Sequence, residues 1–141
     1  MLYMLDTNVL SEWLKQHPRI AERAASLDSG DEIAISNVAW FEIIRGRMSS
    51  ILTAEDDEKL LLAQSRFESD FGSLSKFATY GISKPASSHF RAILAAKKCR
   101  KMSRNDLLIA CIALAHKAVL VTRNVKDFAN VPGLTLQNWF E

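Results

Sequence analysis

Four acidic side chains stand where carboxylates are unusual, and their positions could support metal-ion chemistry. Asp6 ends the apolar run "MLYML", Glu42 is embedded in "VAWFEII", and Asp106 begins the apolar stretch "DLLIACIALA". The fourth acid, Asp127, follows the apolar run "AVLVT" by a short loop. Carboxylates that share a small space repel one another unless a cation compensates. A set of oxygen ligands without His or Cys favours Mg²⁺ or Mn²⁺ over zinc.

Each acid also has an ordinary structural explanation. Asp6 could cap the helix that follows it by accepting hydrogen bonds from free backbone amides. Ser103 and Asp106 have the spacing of a capping box, and an acid in a first helical turn complements the helix dipole. Glu42 could be a surface glutamate, and Asp127 another cap or a loop acid. The acids form a site only if the fold gathers them.

The elements that must position these acids alternate between strand and helix. The strands are "LYML", "EIAIS", a weak one near "FATYGI" and "AVLVT", and the segment "GLTLQNW" closes the chain. The helices are "TNVLSEWLKQ", "RIAERAASLDS", "NVAWFEIIRGRM", "AEDDEKLLLAQSRFESDF", "ASSHFRAILAAKK" and "SRNDLLIACIALAHK". This order predicts a three-layer α/β fold with a parallel sheet flanked by helices. Ligands bind at the carboxyl ends of such strands, which is where acids that follow strands would meet.

Composition narrows the class of protein. A length of 141 residues with 48% hydrophobic content predicts a single domain over residues 1–141 with a substantial core. No apolar run approaches the roughly 18 residues of a membrane span, and Asp6 interrupts the N-terminus too early for a signal peptide. We therefore expect a soluble, cytoplasmic protein. Cys99 and Cys111 lie in no CxxC or Cys/His array, so no zinc site is indicated.

The charge is divided unequally along the chain. Residues 1–70 carry 7 Lys and Arg against 13 Asp and Glu, whereas residues 71–141 carry 11 against 3. A basic half is the electrostatic footprint of a nucleic-acid binder, although solvated helix faces can produce the same split. A metal-binding acidic cluster beside a basic surface indicates phosphodiester hydrolysis by a metal-activated water.

Several of these segments resemble a known family. "LDTNVLS", the Glu in "VAWFEIIRG", "NDLLIACIALAH" and "LVTRNVKDFANVPGLTLQNW" are similar to the motifs of PIN-domain proteins, particularly the VapC-type toxin ribonucleases of toxin-antitoxin pairs. The resemblance runs from Leu2 to Trp139. It implies a Mg²⁺-dependent endoribonuclease, usually a homodimer, held inactive by a cognate antitoxin. The metal-binding acids of the family fall on Asp6, Glu42, Asp106 and Asp127.

Other residues could assist these acids. Asn8, Thr122 and Asn124 could orient a carboxylate or a water, although a strand-end turn also explains the last two. The densest basic run, "KKCRKMSR", directly precedes the helix that presents Asp106 and is predicted to guide RNA. A solvated helix C-terminus is the alternative explanation for that run. Its basic residues are Lys97, Lys98, Arg100, Lys101 and Arg104.

Partner surfaces and competing functions complete the sequence-based expectations. The hairpin over residues 37–71, with its apolar stripe from Leu60 to Phe71, is predicted to meet an antitoxin or a second subunit. The segment before Asp106 reads "KKCRKMS", where many relatives carry glycines, so the local loop should differ. A phosphoacceptor receiver domain would need paired acids after the first strand, which this chain lacks. A catalytically silent, RNA-binding or regulatory PIN-like module is the alternative function, but such a protein should have lost an acid.

Overall fold

A parallel sheet forms the centre of the computed structural model, which describes residues Met1–Glu141. Its five strands are β1 (Leu2–Leu5), β2 (Glu32–Ser36), β3 (Ala78–Tyr80), β4 (Val119–Val121) and β5 (Thr135–Gln137). They pair in the order β3-β2-β1-β4-β5, and all four pairings are parallel. The predicted α/β class and the four predicted strands are therefore confirmed, and the structure adds β5 within the closing segment "GLTLQNW".

Helices connect the strands. They are α1 (Thr7–Leu14), α2 (Pro18–Ala25), α3 (Asn37–Leu52), α4 (Asp57–Leu74), α5 (Lys84–Ala95), α6 (Arg104–Ala115) and α7 (Val125–Phe128). A short 3₁₀ turn over Lys97–Cys99 lies between α5 and α6. None of the helices has the length and apolar character that crossing a membrane requires.

The predicted end of α5 was wrong, and α7 was not predicted. The helix "ASSHFRAILAAKK" was predicted to continue through Lys98, but α5 ends at Ala95 because Ala96 adopts an extended backbone with φ −79° and ψ 120°. Residues 97–103 of the basic run therefore lie in a loop that contains the 3₁₀ turn, Arg104 begins α6, and the explanation of the run as a helix C-terminus fails. Asp127 follows β4 after a short loop, as predicted, and lies in the first turn of α7, a helix that was not predicted. A helix of four residues is too short to show a hydrophobic period.

Side chains alternate across the sheet and supply two cores. Met4 and Leu120 face α6 on one side, whereas Leu5 and Val121 pack on the other side with α1, α3 and the buried Trp139. This alternation follows from the two-residue period of a strand. Because apolar layers cover both faces, the strand ends are held firmly by packing on either side.

The strand order creates a switch point beside the central strand. From β1 the chain moves to β2 and β3 on one side, and later returns to place β4 and β5 on the other. The backbone amide of Asp6 donates to the carbonyl of Val121 at 2.9 Å, so the β1–β4 pairing extends to the ends of both strands. The next residues along each strand, Asp6 and Thr122, therefore meet at the switch point, where α/β sheets bind ligands.

Candidate active site

Asp6 is a buried carboxylate with two hydrogen-bonded oxygens. Only 4% of the residue is exposed. The backbone amide of Thr7 donates to Oδ1 at 2.8 Å, which makes Asp6 the N-cap of α1. The hydroxyl of Thr122 donates to Oδ2 at 2.7 Å from the neighbouring strand end. Asp6 can therefore be both a helix cap and a site residue. The Thr7 amide binds one of its oxygens, and the Thr122 hydroxyl, at the switch point, binds the other.

Burial makes the charge of Asp6 unfavourable. Desolvation raises the pKa of this carboxyl from its ordinary value of 3.8 to about 6. The hydrogen bonds from Thr122 and Thr7 lower the pKa and so oppose the shift, while the charges of Asp106 and Glu42 add to it. A cation beside Asp6 would offset this penalty, and perturbed carboxyls of this kind are common at functional sites.

Glu42 reaches the same place from α3. This helix begins directly after β2 and is capped by the Ser36 hydroxyl, which accepts from the Ala39 amide at 3.0 Å. One turn later, the half-buried Glu42 accepts a hydrogen bond from the Thr7 hydroxyl at 2.9 Å. Sequence reasoning missed Thr7. Its position between Asp6 and Asn8 could have indicated this role. There, the Thr7 backbone amide binds Asp6 and the Thr7 hydroxyl binds Glu42.

Asp106 enters from the N-terminus of α6. Its backbone amide donates to the Ser103 hydroxyl at 3.1 Å, as the capping-box spacing predicts. Desolvation raises the pKa of the half-buried carboxyl, and repulsion from Asp127 and then Glu42 adds to the shift, while Ser103 opposes it. The pKa of Asp106 is therefore raised by the charges of two other acids, Asp127 and Glu42.

Three of the four predicted acids line one pocket of about 310 Å³, here called the acidic pocket. Asp127 does not line it. That residue borders an adjoining cavity of about 550 Å³, here called the basic cavity, which Asp106 also borders. The acidic pocket is lined by Asp6, Thr7, Asn8, Ser11, Glu42, Ile43, Asp106 and Asn124. Asp106 thus stands at the boundary between the two spaces.

The donor set of the acidic pocket fits a hard divalent cation. Its potential ligands are carboxylate, hydroxyl and amide oxygens, which suit Mg²⁺ or Mn²⁺. The structure does not bring three or more His, Cys, Asp or Glu side chains within reach of a single ion. Mg²⁺ does not require that arrangement, because it usually keeps several waters and takes one or two protein carboxylates.

The predicted supporting residues surround Asp6. The Asn8 amide donates to Oδ2 of Asp6 at 3.4 Å, and its carbonyl oxygen accepts from the backbone of Arg123 at 3.2 Å. The backbone amide of Asn124 donates to the Thr122 hydroxyl at 3.0 Å. Two chains of hydrogen bonds therefore run from the segment after β4 to Oδ2 of Asp6, one through Asn8 and the other through Thr122. They fix the direction in which this carboxylate faces the pocket.

The basic cavity gathers four of the five predicted RNA-guiding residues. Arg104 lies apart from them, with its guanidinium 5.1 Å from the centre of the Phe90 ring. Sequence reasoning missed Lys126 and Asn130, which come from α7 and the residues after it. The cavity is lined by Lys97, Lys98, Arg100, Lys101, Met102, Ser103, Asp106, Lys126, Asp127 and Asn130.

The fold and the acidic pocket together define an α/β protein with carboxylates at the switch point of a parallel sheet. Residues 3–134 match the PIN domain, and the chain belongs to the PIN-domain family. It is similar to Ribonuclease VapC2 of Rickettsia felis, with 36% identity over 141 residues that cover 99% of this chain and 98% of that protein. It is also similar to Ribonuclease VapC1 of Haemophilus influenzae (strain R2866), with 34% identity over 140 residues that cover 99% and 98%.

Solved structures agree with this assignment. The structure of VapBC-1 from nontypeable Haemophilus influenzae matches with a TM-score of 0.81 and 28% identity, over the whole of both chains. VapBC2 from Rickettsia felis, bound to a DNA fragment from its promoter, matches with a TM-score of 0.79 and 29% identity over 99% of each chain. The resemblance to VapC-type PIN-domain proteins that the sequence motifs indicated is confirmed.

Proposed function

We propose that this chain is a metal-dependent endoribonuclease that acts as the toxin of a type II toxin-antitoxin pair. The observation that carries the proposal is the buried Asp6 at the switch point, aimed by Thr122 into a pocket shared with Glu42 and Asp106. Its relatives named ribonuclease, at 36% and 34% identity over nearly the full chain, support the same activity. We place this activity in the cytoplasm.

The carboxylates have distinct roles in this proposal. Asp6 and Asp106 hold Mg²⁺, or Mn²⁺ in its place, directly or through water, and Glu42 and Asp127 support them. When bound, such an ion lowers the pKa of a water and stabilises charge on the leaving oxygen of a phosphodiester. The hydroxyls of Thr122 and Thr7 hold Asp6 and Glu42 in the direction of the pocket.

The substrate approaches along the basic side of Asp106. The basic run attracts the RNA backbone and positions it without selecting its sequence, since phosphate contacts carry no base information. Arg104 contributes from the edge of this path, because it lies outside the basic cavity. The members of the guiding set are Lys97, Lys98, Arg100, Lys101 and Arg104.

Two protein partners belong to the proposal, a cognate antitoxin and a second copy of the chain. The hairpin of α3 and α4 exposes large apolar side chains, which in a monomer would remain in contact with water. Within the predicted stripe, Ala63 is buried, while Leu60 and Phe71 are 44% and 47% exposed. The most exposed apolar residues of the hairpin are Phe41, Leu52, Leu61 and Leu62.

Light scattering at rising protein concentration tests assembly. We expect a dimer mass for the isolated chain and reduced dimerisation in a Leu61→Gln variant, with Leu94→Gln on α5 as a matched exposed leucine outside the hairpin. A monomer mass at every concentration would contradict the homodimer. Inhibition of RNA cleavage by the co-expressed antitoxin tests the other partner.

RNA cleavage by the purified chain tests the proposed activity. We expect Mg²⁺ to support cleavage, EDTA to stop it, and Mn²⁺ to restore it. Mapping the new RNA ends after brief induction in cells would identify the substrate. A chain that binds RNA but leaves it intact with either metal would favour the silent PIN-like module instead.

A further inference from the structure

The basic cavity holds more positive charge than its own carboxylates can neutralise. Its lining contains five cationic side chains and two carboxylates. The ion pairs of the structure lie elsewhere and involve none of these five cations. Like charges crowded around one space repel each other and create a positive potential. An anion placed there would remove this repulsion.

The loop that supplies most of this charge is fastened to the core. Within it, the buried Cys99 belongs to the apolar layer under α6, and its Sγ donates to the Asn130 carbonyl at 3.5 Å. The side-chain amide of Asn130 donates back to the Lys98 carbonyl, also at 3.5 Å. These two contacts tie residues 97–101 to the segment after α7. The cavity is therefore a built concave site, and its walls come from parts of the chain far apart in sequence.

A second element adds charge to the same space independently. Helix α7 begins after β4 and brings Lys126 and Asp127 to the lining of the cavity. Because Lys126 lies outside the basic run, its presence cannot be attributed to the composition of that loop. Met102 is the one hydrophobic residue of the lining, so the cavity offers little surface on which a base could stack.

We propose that the basic cavity is a phosphate subsite, which holds the RNA backbone phosphate adjacent to the phosphate being cleaved. Lys126 and the basic side chains of residues 97–101 bind this phosphate, and Asn130 positions residues 97–101. The inference rests on the proposed ribonuclease function. Asp106 lies between the acidic pocket and the basic cavity, so an RNA strand that crosses it presents one phosphate to each space.

The test uses short RNA oligonucleotides with and without an added terminal phosphate at either end. Binding is measured by fluorescence anisotropy across a salt series, in an Asp6→Asn background so that the RNA survives. We expect one of the two added phosphates to tighten binding, and Lys126→Gln to abolish that gain. Lys126→Gln should also weaken binding about threefold to tenfold and flatten the salt dependence by about 0.7, as expected for one lost contact on a single strand.

Two controls make the outcome decisive. Lys76→Gln removes an exposed lysine of the basic half outside the cavity, and it should leave both the phosphate gain and the salt slope unchanged. If Lys126→Gln behaves like Lys76→Gln, the subsite is wrong. Cleavage by the otherwise unmodified chain is scored separately, because a chain that shows the phosphate gain but cuts no RNA contradicts the proposed function and leaves the subsite intact.

Discussion

Asp106 lies between two regions, the acidic pocket and the basic cavity, whose charged side chains differ in burial and in hydrogen bonding. In the acidic pocket, Asp6 is buried and its oxygens accept hydrogen bonds from Thr7 and Thr122. In the basic cavity, cations such as Lys97 and Lys126 are exposed and form no ion pairs. The difference reflects what each region must do. Bond cleavage needs oxygens held in fixed directions, whereas attraction of a backbone phosphate needs only positive charge nearby.

The two regions also differ in their cost to the folded state. Desolvating Asp6 makes its ionised form unfavourable, as its raised pKa records. Exposed lysines keep their hydration and add little penalty beyond mutual repulsion. Substitutions in the acidic pocket should therefore change the rate of cleavage and the stability together, and substitutions in the basic cavity should mainly change RNA affinity.

The largest expected effect comes from Asp6→Asn. The substitution should lower cleavage about a thousandfold or more, because losing several kcal/mol of metal-assisted stabilisation costs a factor of ten for each 1.4 kcal/mol. Folding should survive, since Asn is as good an N-cap as Asp. Cleavage rates and thermal unfolding measured on the same preparation check both statements.

Asp28→Asn is the matched control for that variant, because Asp28 is an exposed acid of the same half of the chain. It should retain full activity. If Asp6→Asn fails to fold while Asp28→Asn folds, Asp6 is primarily a structural cap. If Asp6→Asn folds and still cuts RNA at the normal rate, the acidic pocket is not the active site.

A smaller effect is expected from Thr122→Val, which keeps the side-chain shape and removes the hydroxyl that orients Asp6. Substituting a residue that orients a metal ligand typically lowers metal affinity or activity by about 10- to 100-fold. Since the Thr122 hydrogen bond lowers the pKa of Asp6, its loss should also move the acidic limb of the pH–rate profile to higher pH. Thr122→Ser should restore both properties. The exposed Thr135→Val provides a control on β5, and an unchanged pH profile in Thr122→Val would contradict the positioning role.

The pH dependence of stability sharpens the contrast further. The folded chain binds a proton at Asp6 more tightly than the unfolded chain, because burial raises the pKa from 3.8 to about 6. Without metal, the contribution of Asp6 to the free energy of unfolding should therefore fall as pH rises from about 4 to about 6. Asp6→Asn should equal the parent chain near pH 4 and exceed it by about 2 to 3 kcal/mol at pH 7.

Denaturant unfolding of both chains in EDTA, at several pH values, measures this difference. A constant gap between the two chains at every pH would show that Asp6 does not titrate in this window. Added Mg²⁺ should stabilise the parent chain more at pH 7 than at pH 5, since the ion requires the ionised carboxylate.

The sheet and three lining acids of the acidic pocket were accessible to sequence reasoning for a clear physical reason. Apolar runs mark the buried strands, and Asp6 is conspicuous because it directly ends one of them. Glu42 is conspicuous because it interrupts an apolar helix, and Asp106 because it begins one. The parallel topology then brings strand ends together whatever the details of the loops.

The remainder depends on contacts between residues far apart in the chain. The hydrogen bond from Thr7 to Glu42 joins α1 to α3, and the contacts of Asn130 with Cys99 and the Lys98 carbonyl join segments about thirty residues apart. Such pairs leave no periodic signal in a single sequence. The division of the four predicted acids between two spaces was missed for the same reason, since it depends on where α7 turns after β4.

The smallest expected effect concerns Arg104, which tests whether a basic residue must line the cavity to matter. Its guanidinium lies over the Phe90 ring and does not line the cavity, so Arg104→Gln removes one charge outside the lining and one cation–π contact. An exposed contact of this kind contributes about 0.5 to 1 kcal/mol to stability. RNA affinity in the Asp6→Asn background should fall less than twofold, with a salt slope close to that of the parent. A loss as large as that of Lys126→Gln would place Arg104 on the RNA path itself and would show that the path extends beyond the cavity toward α5.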